Sequence, residues 1–311
     1  MANFNIISQT LKTVLDFIVS IVGNYGWSVV VFTILIRLLV LPLDIQSKKA
    51  MKRQQMLQPK LDALNKKYAK DKEKLAQKQQ ELYKKEGINP LASCLPMLIS
   101  MPILICMFTA MRVTANEHLV QMLLDMKAGI EPQLQSWLWI KNVFQADSFM
   151  AAVIPALGDP LATLNGVNGS LLLTAENVAT VKEYVASADY ALMAAKYGIE
   201  STFSAPLLMW TISIPQQFNG LFILPVFAAV SQFLSSKLLT AAQPNTAQTQ
   251  STNQMMNWMM PLVSLFFCAT SNAAFSIYWV AVNLVMIVQQ YALNMYFDRR
   301  DAVKPEEVTE P

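Results

Sequence analysis

The sequence predicts an all-α polytopic membrane protein. It has five transmembrane helices around a hydrated groove, a cytoplasmic helical hairpin and an N-terminal interfacial amphipathic helix. Three observations carry this reading. Of 311 residues, 54% are hydrophobic and only 14% are charged, where a soluble chain carries about a quarter charged residues. The mean hydropathy is positive, at +0.33. The apolar residues are also gathered into runs long enough to cross about 30 Å of hydrocarbon at about 1.5 Å per helical residue.

The runs delimit spans at 27–43, 91–113, 221–239, 255–270 and 275–297. Pro96 and Pro102 interrupt the second and Pro261 the fourth, so neither is expected to be straight. Upstream, 1–26 reads as a helix lying in the membrane interface. Its apolar residues at 7, 11, 14, 15, 18, 21 and 22 follow a helical period, with Lys12 and Asp16 one turn apart on the other face. A sixth span is the competing reading of that stretch. Residues 1–10 contain neither Lys nor Arg and no small-residue cleavage pattern follows, so a signal peptide is not expected.

Charge sets the orientation. Segment 44–90 holds 13 Lys/Arg against 6 Asp/Glu, and segment 114–220 holds 4 against 9. The positive-inside rule places 44–90 in the cytoplasm and 114–220 outside. The N-terminus is then outside, while the loop 240–254 and the tail 298–311 are cytoplasmic. Segment 44–90 must leave and re-enter the bilayer on one side. Leu61, Tyr68, Leu75 and Leu82 fall at intervals of seven, with Leu57 and Leu64 filling in, the seam of two antiparallel helices. The reversal is expected near Ala69–Lys72. The lysines around the seam also fit a solvated face or attraction to anionic lipid.

No enzyme chemistry is legible: no nucleophile–base pair, metal spacing or phosphate loop stands out, and no cofactor is expected. Cys94, Cys106 and Cys268 lie inside apolar runs and read as packing residues. His118 is the only histidine. The chemistry lies in Arg37, inside the first span. An arginine at a helix centre costs roughly 2.5–3.5 kcal/mol on insertion scales, against about 0.3–0.6 kcal/mol returned by each leucine or isoleucine. The segment inserts, but its cation needs a polar place to face. Snorkelling is the plain alternative. It is disfavoured because Cα–Cβ bonds tilt toward the helix N-terminus, here away from the nearer surface. Thr33 shares the face, and further polar residues lie at membrane depth: Ser100, Gln232, Ser235, Asn283, Gln289 and Gln290. Each fits a helix–helix hydrogen bond. Together, with no acidic residue in any span, they point to a hydrated pocket around a positive charge.

"GNYGWSVVVFTILIRLLVLPL", "KKAMKRQQMLQPKLDALNKKY", "ELYKKEGINPLASCLPMLISMPI" and "MMNWMMPLVSLFF…SIYWVAVNLVMIVQQYAL" resemble, in order, the motifs of the YidC/Oxa1/Alb3 membrane protein insertases. The resemblance covers 1–113 and 204–297. It implies a groove between five helices, open to cytoplasm and lipid and closed toward the outside, with Arg37 in it. It also implies a greasy slide for the incoming segment, here Phe233, Ile277, Tyr278 and Trp279. Newly made membrane proteins would be the substrates, and the lipid bilayer, ribosome, targeting factors and general secretion channel the partners, in a bacterial plasma membrane. Ser100 and Ser235–Ser236 stand where the family often has glutamine.

The competing function is a channel or small-solute transporter with Arg37 as an anion site. Arg37 as the one charge near the middle of a span, and the lack of internal repeats, weigh against it. A nucleic-acid module in the basic hairpin is a third reading, opposed by the scarcity of aromatics beyond Tyr68 and Tyr83.

Overall fold

Long helices dominate the computed structural model, which describes residues 6–87, 95–154, 170–197, 199, 202–207, 210–240 and 247–302. In chain order they are α1 (Ile6–Val22), α2 (Tyr25–Met56), α3 (Gln58–Lys67), α4 (Lys72–Lys85), α5 (Leu95–Lys127), α6 (Ala175–Val185) and α7 (Ala188–Lys196). The strands β1 (Thr202–Leu207) and β2 (Trp210–Pro215) follow, then α8 (Ile223–Thr240), α9 (Ala247–Thr270) and α10 (Ala273–Ala302). Among the described residues four helices are long and apolar enough to cross a membrane: α2, α5 from Met101, α8 and α10 to Arg300. The first half of α9 is rich in Gln, Thr, Ser and Asn, which lowers its hydropathy.

Helices outlast their apolar runs. α2 continues to Met56 through Ser47, Lys48, Lys49 and Lys52, because straight-chain and small polar residues cost a helix little. The prolines sit inside helices: Pro42 in α2, Pro102 in α5 and Pro261 in α9. Pro96 falls in the first turn of α5, where a missing N–H is harmless.

The chain divides into two units. The first comprises Met1–Thr33, Ile103–Ala228 and Ser264–Val280. Its apolar core joins the second half of α5 (Val120, Leu123, Met126) to Val178 and Val181 of α6 and Tyr190 of α7. Thr174 and Ser187 cap α6 and α7 through hydrogen bonds from Asn177 N and Tyr190 N. α1 is tied down by Lys12, whose ammonium bonds Asp16 at 2.7 Å and Glu117 at 3.0 Å. Burial opposes that charge, but the two carboxylates together outweigh it and raise the Lys12 pKa.

A polar knot organises the same unit. The buried carboxylate of Asp147 accepts from Leu221 N at 2.9 Å, Leu224 N at 2.6 Å and Trp139 Nε1 at 3.3 Å. It thereby serves the first turn of α8, whose amides have no intrahelical partner. The Asn219 side chain accepts from Asn142 N and donates to the Asn142 carbonyl, and the carbonyls of Val143 and Gln145 accept from Ala274 N and Ala273 N at the start of α10. A Cβ on Gly220 would lie 2.0 Å from Asp147 Oδ1, so only glycine fits there.

The antiparallel ribbon of β1 and β2, in register from Thr202↔Pro215 to Leu207↔Trp210, has no counterpart in the sequence reading. Pro206 and Pro215 argue against a central strand, but both strands of a two-stranded ribbon are edges.

The second unit comprises Ile34–Pro102, Ala229–Val263 and Ala281–Pro311. In it α3 and α4 run antiparallel around the short turn after Lys67. Lys60 Nζ bonds Glu86 Oε1 at 2.6 Å, and Gln79 Nε2 bonds Asn65 Oδ1 at 2.9 Å nearer the turn. Leu57 and Leu61 are buried, while Leu64, Tyr68, Leu75 and Leu82 are half-buried. Asp71 caps α4 by accepting from Lys74 N.

Candidate functional site

α2 has two unlike faces. Trp27, Val31, Ile34, Leu35, Leu38 and Leu39 are exposed apolar residues one or two turns apart, so they form one stripe. Val29, Phe32, Thr33 and Arg37 are buried. The guanidinium side chain thus belongs to the face turned away from the exposed apolar stripe, at 7% exposure. Thr33, one turn earlier, is fully buried and donates to its own Val29 carbonyl at 2.7 Å.

In the second unit α10 meets this face with amides. Gln289 Nε2 donates to the Arg37 carbonyl at 3.3 Å, and Gln290 Oε1 accepts from Lys48 Nζ at 3.0 Å. Lys48 is only 2% exposed. Lys52 completes the seam, pairing with Asp298 at 2.8 Å and lying over the buried Phe297 ring at 5.5 Å. Between α8 and α10 a second polar contact forms, Asn283 Nδ2 to Ser231 Oγ at 3.2 Å, both buried. Gln232 bonds Ser236 on its own helix at 3.2 Å, and Ser235 is buried. Ser100 lies in the helical backbone of α5, but its side chain falls outside the described residues.

Two charges went unread in the sequence. Asp44 stands seven residues after Arg37 and interacts with it electrostatically. The apolar run ends at Leu43 but the helix does not, so an acid just beyond the predicted span shares the helix and face of Arg37. Lys48 falls within a lysine run that reads as solvated, yet it is buried. The spacing held the signal: 33, 37, 44 and 48 recur on one helical face.

The residues expected to form a slide have different surroundings. Phe233 is half-buried in the second unit, against the Trp258 ring at 5.6 Å and under Lys237 Nζ at 5.4 Å. Ile277, Tyr278 and Trp279 are buried in the first unit, the last two against Phe275. Exposed apolar stripes lie elsewhere on the same helices: Val226, Val230 and Leu234 on α8, and Leu284, Val288, Tyr291 and Met295 on α10. Cys106 and Cys268 are buried free thiols.

Residues 17–300 match the family model described as 60Kd inner membrane protein. The chain belongs to the 60Kd inner membrane protein family. Among its relatives is the membrane protein insertase YidC of Fusobacterium nucleatum, 35% identical over 161 residues, which are 52% of this chain and 70% of that protein. The membrane protein insertase MisCA of Bacillus subtilis is 29% identical over 291 residues, covering 91% of this chain and 76% of the relative. A YidC insertase of Polynucleobacter necessarius is 26% identical over 299 residues, 96% of this chain but only 37% of a much longer protein. Membership of the 60Kd inner membrane protein family and the four long apolar helices make this a multi-pass bacterial membrane protein.

Proposed function

We propose that this chain is a membrane protein insertase, a non-enzymatic catalyst that moves newly made membrane proteins into the bilayer. Its relatives' names support the class. The observation that carries the mechanism is the buried Arg37 on the polar face of α2, opposite an exposed apolar stripe. The hydrophilic part of a substrate meets a large barrier in hydrocarbon because its polar groups lose their hydrogen bonds there. A hydrated groove around Arg37, with Gln232, Ser235, Asn283, Gln289 and Gln290 of the same unit, would lower that barrier. The apolar part of the substrate leaves along the exposed faces of α8 and α10, near Phe233, and its partition into lipid drives release.

α9 is the fifth span in this reading, with the N-terminus outside and the C-terminus cytoplasmic. α3 and α4 form a cytoplasmic hairpin whose lysines receive acidic substrates, ribosomal RNA phosphates or targeting factors. α1 lies in the interface, on the side of the 114–220 segment. Reconstitution tests the proposal. Purified protein in lipid vesicles should insert a small membrane protein without nucleotide while leaving the vesicles tight to ions. Ion flux without insertion would establish a channel instead.

A further inference from the structure

The first unit contains a cavity of about 400 Å³ that the insertase reading does not use. Its lining includes three aromatic rings, Phe108, Phe144 and Phe275, the first and last of them edge-to-face at 5.0 Å. The lining also carries the polar side chains of Arg112, Asn116, Gln145 and Ser271. Among the described residues no ion pair or hydrogen bond engages the Arg112 guanidinium or the side chains of Asn116, Gln145 and Ser271. All four carry donors, and a guanidinium alone offers five N–H groups. The nearby N-terminus of α10 is not the attraction, because its first amides are already taken by the carbonyls of Gln145 and Val143 and by Asn272 Oδ1.

A lining that combines unengaged donors with aromatic rings fits an amphiphile with an anionic head. The depth identifies which one. Arg112 ends the apolar run that starts at Leu95 in α5, and Ser271 lies in the turn between the apolar stretches of α9 and α10. Two independent ends of apolar segments meet at this cavity, which is where a bilayer presents its headgroups. We infer that the cavity binds one anionic phospholipid, its phosphodiester on Arg112 and the amides and its glycerol–acyl junction on Phe108, Phe144 and Phe275. A zwitterionic lipid presents the same phosphate, but its own cation offsets the charge that Arg112 would meet. Anionic lipid is therefore preferred.

Native mass spectrometry of the full chain in mild detergent, with equimolar phosphatidylglycerol and phosphatidylcholine, tests this. Phosphatidylglycerol should be retained preferentially. Arg112→Gln should weaken its binding roughly tenfold, about 1.4 kcal/mol, while Arg112→Lys should keep part of it. Lys141→Gln, which alters a cation of the same unit outside the cavity, should change nothing. Arg112 is exposed and pairs with no side chain among the described residues, so the variants should keep wild-type helicity by circular dichroism. Unchanged retention in Arg112→Gln, or equal loss in Lys141→Gln, would overturn the assignment. Competition by glycerophosphate as effective as that by intact lipid would also overturn it and leave only a free-anion site.

Discussion

The side-chain amide of Gln289 donates to the main-chain carbonyl of Arg37 across 3.3 Å, joining α10 to the residue of α2 that carries the buried cation. The contact lies one residue before Leu38, whose carbonyl loses its helical donor at Pro42. An amide here ties the partner helix to α2 where α2 is weakest.

Gln289→Leu should nevertheless cost little, because the Arg37 carbonyl keeps its own helical bond. Such contacts between membrane helices average about 0.6 kcal/mol. Gln290→Leu should cost more, on the order of 1.5–3 kcal/mol, since it takes an acceptor from the buried ammonium of Lys48. Unfolding of the two variants in mixed micelles gives the comparison. Equal losses would show that Lys48 finds another acceptor.

Asp147→Ala should be among the most damaging single changes in the 114–220 segment. It removes the acceptor of two main-chain amides at the start of α8 and of the Trp139 indole. Unsatisfied buried donors cost about 1–3 kcal/mol each, and lost caps about 1 kcal/mol. A loss on the order of 3 kcal/mol is expected, with faster amide exchange at 221–224. Gly220→Ala should act similarly by pressing its methyl group on the same carboxylate.

The α3–α4 pair should respond to acid. Lys60 bonds Glu86 and holds its pKa below the usual glutamate value of about 4.3. A depressed carboxylate pKa adds stability above the ordinary value and loses it as pH falls through the depressed one. Protection of α3 and α4 amides, relative to exchange in an unstructured chain at the same pH, should therefore be flat at neutral pH and fall below about pH 4. Glu86→Gln should remove that pH dependence. An unchanged acid limb in Glu86→Gln would assign it to other carboxylates.

Orientation is tested by labelling single cysteines placed at exposed positions. Lys66→Cys and Arg299→Cys should react only from the cytoplasmic face of sealed vesicles, and Glu183→Cys only from the other. The charge asymmetry between 44–90 and 114–220 motivates this. Labelling of positions 66 and 183 from one side would remove the N-out reading and, with it, the direction in which Arg37 faces.

What the sequence makes legible here is set by the range of the interaction. Apolar runs mark the cores of α2, α5, α8 and α10 because hydropathy is local. They do not mark where α2 ends, since Ser47–Met56 is polar yet helical, and so the burial of Lys48 is hidden within a run of lysines. The seam residue Leu61 is visible from spacing alone and is fully buried. The Asp147 knot is invisible, because its partners Leu221 and Leu224 lie more than 70 residues away and an isolated aspartate in a loop reads as surface. Among the polar residues grouped around Arg37, helical phase identifies Thr33. Nothing local distinguishes Gln289, which bonds Arg37 in α2, from Asn283, which bonds Ser231 in α8.

Arg37 should act through charge more than shape. Attraction between unit charges at about 4 Å is roughly 1 kcal/mol in bulk water and about 4 kcal/mol at an effective dielectric near 20. A partly enclosed cavity lies between these limits. Arg37→Lys keeps the charge, loses the planar fork and should retain most insertion activity. Arg37→Ala should fold, because it removes a polar demand from the membrane, but it should insert substrates with acidic translocated segments several-fold more slowly. Asp44 sharpens the test. It shares the helix face and its negative charge acts on the guanidinium through space, so Asp44→Asn should make the site more positive and speed the acidic substrate. In the Arg37→Ala background the same change should do nothing. The measurement is insertion of paired substrates that differ only in acidic residues of the translocated segment, across the four variants. If Arg37→Ala and Arg37→Lys treat both substrates alike, or if Asp44→Asn acts equally with and without Arg37, the cation holds α2 in place and does not draw substrate.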